Sequence, residues 1–204
     1  MNSSAEKVWN EILTFLAILF LIIFSYPAFD VEISNSTETA LNNLQIIIWA
    51  IFALDLFYGI WRSENRILYI EKHPLEVASV ALPFLRPLRL LRVISFAGLA
   101  IQKIAIGRQF AITLKVALTI LFITYISAVQ ITILERSSES SNIKHFGDGL
   151  WWAITTVTTV GYGDKYPITT EGRIIGAILM TTGVGIFGTF TAIVSSWFIQ
   201  KNED

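Results

Sequence analysis

Residues 158–164 read Thr-Thr-Val-Gly-Tyr-Gly-Asp. Glycine is the residue type that most readily takes the backbone angles needed to turn successive carbonyls the same way. A ring of such carbonyls can replace the water shell of a potassium ion. A second group is Arg86, Arg89 and Arg92, one guanidinium at every third position among leucines. Charges of this kind inside a membrane helix are costly and point to function, and Asp55 and Glu76 are candidate partners. Covalent chemistry has no comparable constellation: His73 and His145 are isolated, there is no cysteine, and no nucleophile or metal-ligand spacing stands out. Gly183-Val184-Gly185-Ile186-Phe187-Gly188 spells a dinucleotide fingerprint, yet it lies inside an apolar run with no strand before it. The chain is therefore read as non-enzymatic, with no cofactor beyond potassium ions in the 158–164 loop.

The elements that must position these residues are apolar. Of 204 residues 53% are hydrophobic and only 15% charged, against about a quarter charged in soluble domains; mean hydropathy is +0.60. The charges cluster, leaving 12–29, 116–134 and 174–199 bare. Each of these runs is long enough for a helix to cross about 30 Å of hydrocarbon. Backbone groups there find no water, so helices are the expected spanning form. Six spans are expected, at about 9–29, 39–61, 67–85, 86–101, 112–134 and 172–199. Residues 146–157 are apolar but too short to span, and read as a re-entrant helix leading into the 158–164 loop. The first run is expected to stay as a helix, since Ser25-Tyr26-Pro27 gives no small-residue cleavage pattern.

Basic residues orient the spans. The 30–38 loop carries Asp30, Glu32 and Glu38 and no Lys or Arg, whereas 62–73 carries Arg62, Arg66 and Lys72, and 98–115 carries Lys103, Arg108 and Lys115. The first loop is expected outside and the other two inside, with both termini cytoplasmic in a multi-pass protein of the cell membrane. The hydrophilic stretch 135–145 then falls outside, in front of the glycine loop. Net charge is −1, which offers no case for a nucleic-acid partner.

Phe146–Asp164, with the Trp151-Trp152 pair, the TTVGYGD run and the following Tyr166-Pro167, resembles the pore helix and selectivity filter of voltage-gated potassium channels. Phe52, one turn before Asp55, is similar to that family's charge-transfer site, and the likeness covers roughly 9–200. The resemblance implies an all-α membrane protein: a four-helix voltage-sensor-like domain over 1–100, a linker helix over 101–113, and a two-helix pore domain over 114–204 with the re-entrant helix and filter. It implies potassium coordination by Thr159, Val160, Gly161 and Tyr162, with Gly163 closing the filter. Trp151, Trp152 and Asp164 would support the filter, the two tryptophans receiving the Val160 and Tyr162 side chains. Arg86, Arg89 and Arg92 would be gating charges, with Phe52, Asp55 and Glu76 as transfer partners. Gly183 falls where the family often has a hinge glycine, although glycine there also permits close packing. Thr155 stands where some members carry a glutamate, and the third-helix acid is Glu76 rather than the usual Asp.

One filter copy cannot enclose an ion, and no second copy of the 145–200 pattern exists in the chain. Three further copies of the chain, forming a homotetramer in contact with membrane lipid, are the expected partners. The expected function is passive potassium conduction under voltage control. The alternatives are a voltage-insensitive potassium pore, a non-conducting modulatory subunit and a cation transporter component.

Overall fold

Leu13, Ala17 and Phe20 recur at helical spacing near the beginning of the chain and are all buried. They form one stripe of a helix, α1 (Ser3–Phe29). The computed structural model describes residues 3–30, 32–81 and 108–201, and among these there is helix, turn and loop but no strand. After α1 come α2 (Asn35–Arg62), α3 (Arg66–Lys72), α4 (Pro74–Ala81), α5 (Arg108–Arg136), α6 (Phe146–Val157) and α7 (Thr170–Lys201). The chain divides into two compact units, Met1–Phe96 and Ala97–Asp204.

In the first unit α1 and α2 pack along each other. Trp9 near the start of α1 meets Asp55 near the end of α2, which makes the pair antiparallel. The short link between them ends at Ser34, whose hydroxyl caps α2 by accepting from the Thr37 amide. Ile48, Phe52, Ala53 and Leu56 form the buried stripe of α2. Phe15, Ile22, Leu54 and Phe57 remain exposed on the other faces, as expected of helices whose solvent is lipid.

The segment expected as one span over 67–85 is broken. Helix α3 stops at Lys72, His73 leaves helical geometry at φ −123° and ψ 47°, and α4 restarts at Pro74. Proline has no amide hydrogen to donate and pushes the residue before it out of the α region. A proline in the first turn of a helix meets neither objection, so the break falls just ahead of it. Neither short helix crosses a membrane by itself. The expected fourth span, 86–101, lies outside the described residues. Among the described residues four helices are long and apolar enough to cross a bilayer: Val8–Phe29, Asn35–Arg62, Ala111–Arg136 and Thr170–Ala192.

The second unit holds α5, α6 and α7, each packed on the other two. Ala128 and Ile131 of α5, Trp152, Ala153 and Val157 of α6, and Ile175 and Leu179 of α7 share one core with Ile143 from the α5–α6 loop. Residues 108–113 of the expected linker helix run into α5 without a break. The 12 residues of α6 span only about 18 Å, so this helix is too short to cross about 30 Å of hydrocarbon. It lies against α5 through Gly149, where an added Cβ would stand 2.7 Å from the Ala128 carbonyl oxygen.

Gly149→Ala should therefore lower the melting temperature of the detergent-solubilised protein, at a cost of about 1–3 kcal/mol for overpacking. Gly147→Ala, at a position with nothing within 4 Å of the new carbon, should leave it unchanged.

Candidate functional site

The 158–164 loop takes its shape from the end of α6. The Thr158 amide donates to the Ile154 carbonyl, Thr159 to Thr156, and Gly161 to Thr155, each at 3.0 Å. Across a trans peptide the carbonyl points opposite to the amide hydrogen, and the described residues contain no cis bond. The Gly161 bond to Thr155 therefore turns the Val160 carbonyl away from α6, and the Thr159 bond does the same for the Thr158 carbonyl. Positive φ values recur at alternate residues: 60° at Thr159, 56° at Gly161 and 79° at Gly163. Residues alternating between left- and right-handed conformations turn successive amides to one side of the chain and leave the carbonyls for the other. The glycines accept this freely. Thr159 is β-branched, for which positive φ costs on the order of 1–3 kcal/mol and marks positions that the surrounding structure over-determines.

The loop is uncovered within one chain, with Val160 56% and Tyr162 68% exposed. Behind it Thr155, Thr156 and Val157 are buried. The Trp151-Trp152 pair divides. The Trp151 ring stacks on Tyr162, centroids 5.4 Å apart and planes 8° from parallel, and its Nε1 donates to Asp164 Oδ2 at 2.8 Å. Trp152 turns into the core at 3% exposure, because neighbours in a helix point about 100° apart. Thr155 uses its hydroxyl on the Trp152 carbonyl, at 3.0 Å. Gly183 lies on α7, which runs through it unbroken, and a Cβ there would stand 2.6 Å from the Val157 carbonyl oxygen. Glycine at 183 thus lets α7 pass directly beneath the end of α6.

A ring of polar residues that the sequence reading did not single out holds the loop from outside. Asp148 Oδ2 accepts from the Lys144 and His145 amides, both at 3.1 Å, closing the first turn of α6. Its Oδ1 pairs with Lys165 Nζ at 2.8 Å, and Lys165 also donates to the Asn142 carbonyl at 2.7 Å. The Asn142 side chain donates to the Asp164 carbonyl at 2.8 Å and accepts from the Tyr166 amide at 3.3 Å. Glu135, at 0% exposure, accepts from the Ile168 amide at 3.1 Å, the Thr169 amide at 3.0 Å and the Thr169 hydroxyl at 2.6 Å. The one available signal was an acid three residues beyond the helix N-cap, the usual place for a side chain that closes the first turn. The main-chain groups that the Glu135 and Asn142 side chains bind lie 22 to 34 residues away, beyond any local pattern.

In the first unit Phe52 is buried one turn before Asp55, and Asp55 accepts from Trp9 Nε1 at 2.7 Å. Glu76 sits in the first turn of α4. A cavity of about 720 Å³ is lined by Asp55 together with Trp9, Tyr58, Arg62 and Tyr69. Arg86, Arg89 and Arg92 lie outside the described residues, and so do the fourth span and residues 101–107.

Residues 112–200 match a family model described as "Ion channel". A voltage-gated potassium channel of Aeropyrum pernix is 29% identical over 207 aligned positions, covering 89% of this chain and 68% of the relative. The calcium-gated potassium channel TvoK of Thermoplasma volcanium is 34% identical over 86 residues, 42% of this chain and 25% of the relative. A mouse voltage-gated potassium channel regulatory subunit is 30% identical over 141 residues, 64% of this chain and 32% of the relative. The chain thus matches a quarter of the length of one of these relatives and about two thirds of another.

Burial tends to raise the Asp148 carboxyl, but Lys165 and the Lys144 and His145 amides outweigh it and hold the group below the ordinary aspartate value of 3.8. A carboxyl depressed on folding stabilises the fold above its unfolded value and loses that contribution as pH falls through the folded one. Asp148→Asn should therefore melt at a lower temperature than the parent at neutral pH. Below pH 3.8 the difference should shrink towards zero. A gap that stays constant down the acid series would count against this role for Asp148.

Proposed function

We propose that the chain, whose residues 112–200 match an ion-channel family model, is a potassium-selective channel subunit that works as a homotetramer under voltage control. The observation that carries the reading is the alternation of positive φ at Thr159, Gly161 and Gly163, together with the Gly161 amide held by Thr155. Four such loops about one axis would present stacked rings of oxygens from Thr159, Val160, Gly161 and Tyr162 to a dehydrated ion. Gly163 completes the turn, and the Thr159 hydroxyl would add the innermost ring. The exposed loop supports assembly with further copies, since one chain leaves the ion open on its remaining sides. Trp151 and Asp164 would set the width of the outer end by their direct hydrogen bond. Helix α6 would point its C-terminal end, the negative end of its dipole, at a cation below the filter.

Voltage control is supported by the Aeropyrum channel, named as voltage-gated and aligned over both units of this chain. In this reading Arg86, Arg89 and Arg92 are the charges that move, with Phe52, Asp55 and Glu76 as the sites they pass. Both termini lie in the cytoplasm and the spans cross the cell membrane. Bending of α7 at Gly183 would open the pore by sliding the glycine off the Val157 carbonyl.

Purified protein in planar bilayers should reverse near the potassium equilibrium potential in a potassium/sodium gradient; equal passage of the two ions overturns the filter assignment. Gly161→Ala should lose that preference, because alanine at positive φ costs about 1–2 kcal/mol in each subunit. Neutralising Arg89 and Arg92 together to Gln should flatten the voltage dependence while leaving unit conductance intact. Gating that is unchanged in the double variant would remove the arginines from the sensor.

A further inference from the structure

Gly163 has the largest positive φ in the loop, at 79°, and nothing lies within 4 Å of where its side chain would be. Its conformation must therefore be imposed by what holds the residues on either side. On the inner side Tyr162 is stacked on Trp151. On the outer side the hold is Asn142, which lies in the α5–α6 loop rather than in the filter or the helix behind it. We propose that Asn142 is a positioning residue for ion selectivity, a peg that keeps the outer end of the loop in its ion-coordinating form. The proposal rests on the channel reading above and adds to it a residue from outside the pore helix and filter.

The amide of Asn142 is used at both ends. Nδ2 donates to the Asp164 carbonyl at 2.8 Å and Oδ1 accepts from the Tyr166 amide at 3.3 Å, so one side chain pairs with the main chain as the edge of a strand would. Asp164 is then gripped twice, at its carbonyl by Asn142 and at its carboxylate by Trp151. The Asn142 main-chain carbonyl also receives Lys165 Nζ, whose charge is answered by Asp148. The peg is itself rooted. The next residue, Ile143, is fully buried in the core of the second unit, and its amide donates to Ser141 Oγ at 3.1 Å. Arg136 Nε donates to the Lys144 carbonyl at 3.0 Å, tying the loop to the end of α5.

Only an amide can do this. An aspartate at 142 offers acceptors alone and would set oxygen against the Asp164 carbonyl. The peg matters most when ions are scarce, because inward-facing carbonyls repel one another when no cation stands between them.

The test compares the full chain with Asn142→Ala, Asn142→Asp and Glu139→Ala, an exposed control in the same loop with no bond to the filter. Currents are recorded in bilayers at low and high external potassium, and amide hydrogen exchange is measured at Tyr166. In both Asn142 variants the current should decay about tenfold faster at constant voltage, as expected for loss of one or two hydrogen bonds. Raised external potassium should slow that decay, and the potassium preference should fall. Tyr166 exchange should rise in Asn142→Ala and stay slow in Asn142→Asp, which keeps the acceptor. The Glu139→Ala control should match the parent. Variants that give fewer channels but parental decay, selectivity and Tyr166 exchange overturn the proposal, since Asn142 would then serve folding alone. Parent protein that passes no potassium-selective current overturns the channel reading instead, and Tyr166 exchange still reports whether the peg exists.

Discussion

A peptide plane has its amide and carbonyl on opposite edges, so whichever group holds the Gly161 amide decides where the Val160 oxygen points. In this protein the holder is the Thr155 carbonyl, one of the orphan acceptors that every helix leaves in its last turn. The short helix α6 thus does two jobs with one end: it finds a donor for its own unpaired carbonyl and it turns the following oxygens outward. Much of the second unit serves to keep that helix end in place. Trp152 and Val157 fix α6 in the core, Gly149 sets it close against α5, and Gly183 brings α7 up to the Val157 carbonyl. A side chain at either glycine would push apart elements whose separation decides where the loop lies.

The polar network around the loop works differently from the core. Apolar packing sets where α6 sits, but it cannot hold an exposed main chain at left-handed angles. Bonds to the end of α6 hold Thr159 and Gly161, while Asp148, Lys165, Asn142 and Glu135 fix the backbone that flanks the loop. Hydrogen bonds to a charged group are worth about 1.5–3 kcal/mol each, enough together to offset the strain of a threonine at positive φ. Glu135 joins the end of α5 to the residues leading into α7. Beside the core they share, the two long helices of this unit are therefore also linked through one buried side chain next to the loop.

The first unit follows a simpler rule. Its helices are apolar on most faces, and one buried stripe on each is enough to pair α1 with α2. Asp55, an acid within a candidate span, has its charge met by the Trp9 indole. The pairing joins the start of one helix to the end of the next and leaves a polar lining in an otherwise apolar hairpin.

What composition and pattern determined by themselves was the helical membrane class, four of the expected spans to within a few residues, and the short helix 146–157 at its full length. Long uncharged runs admit only one backbone solution in lipid, and that makes them legible without a partner. The two glycines were readable as positions of unusual φ because glycine alone takes such angles freely. The positive φ of Thr159 was not readable, since it comes from bonds to the preceding helix rather than from the residue's own preference. The break at His73 lay in the sequence as Pro74, although 67–85 was expected as one span. Only the tertiary structure decided which way each tryptophan faces, that Gly183 meets the end of α6, and that Asn142 and Glu135 reach main-chain groups 22 to 34 positions away. Those contacts depend on how three helices stack, and side-chain spacing along one helix carries no record of what a neighbouring element brings to it.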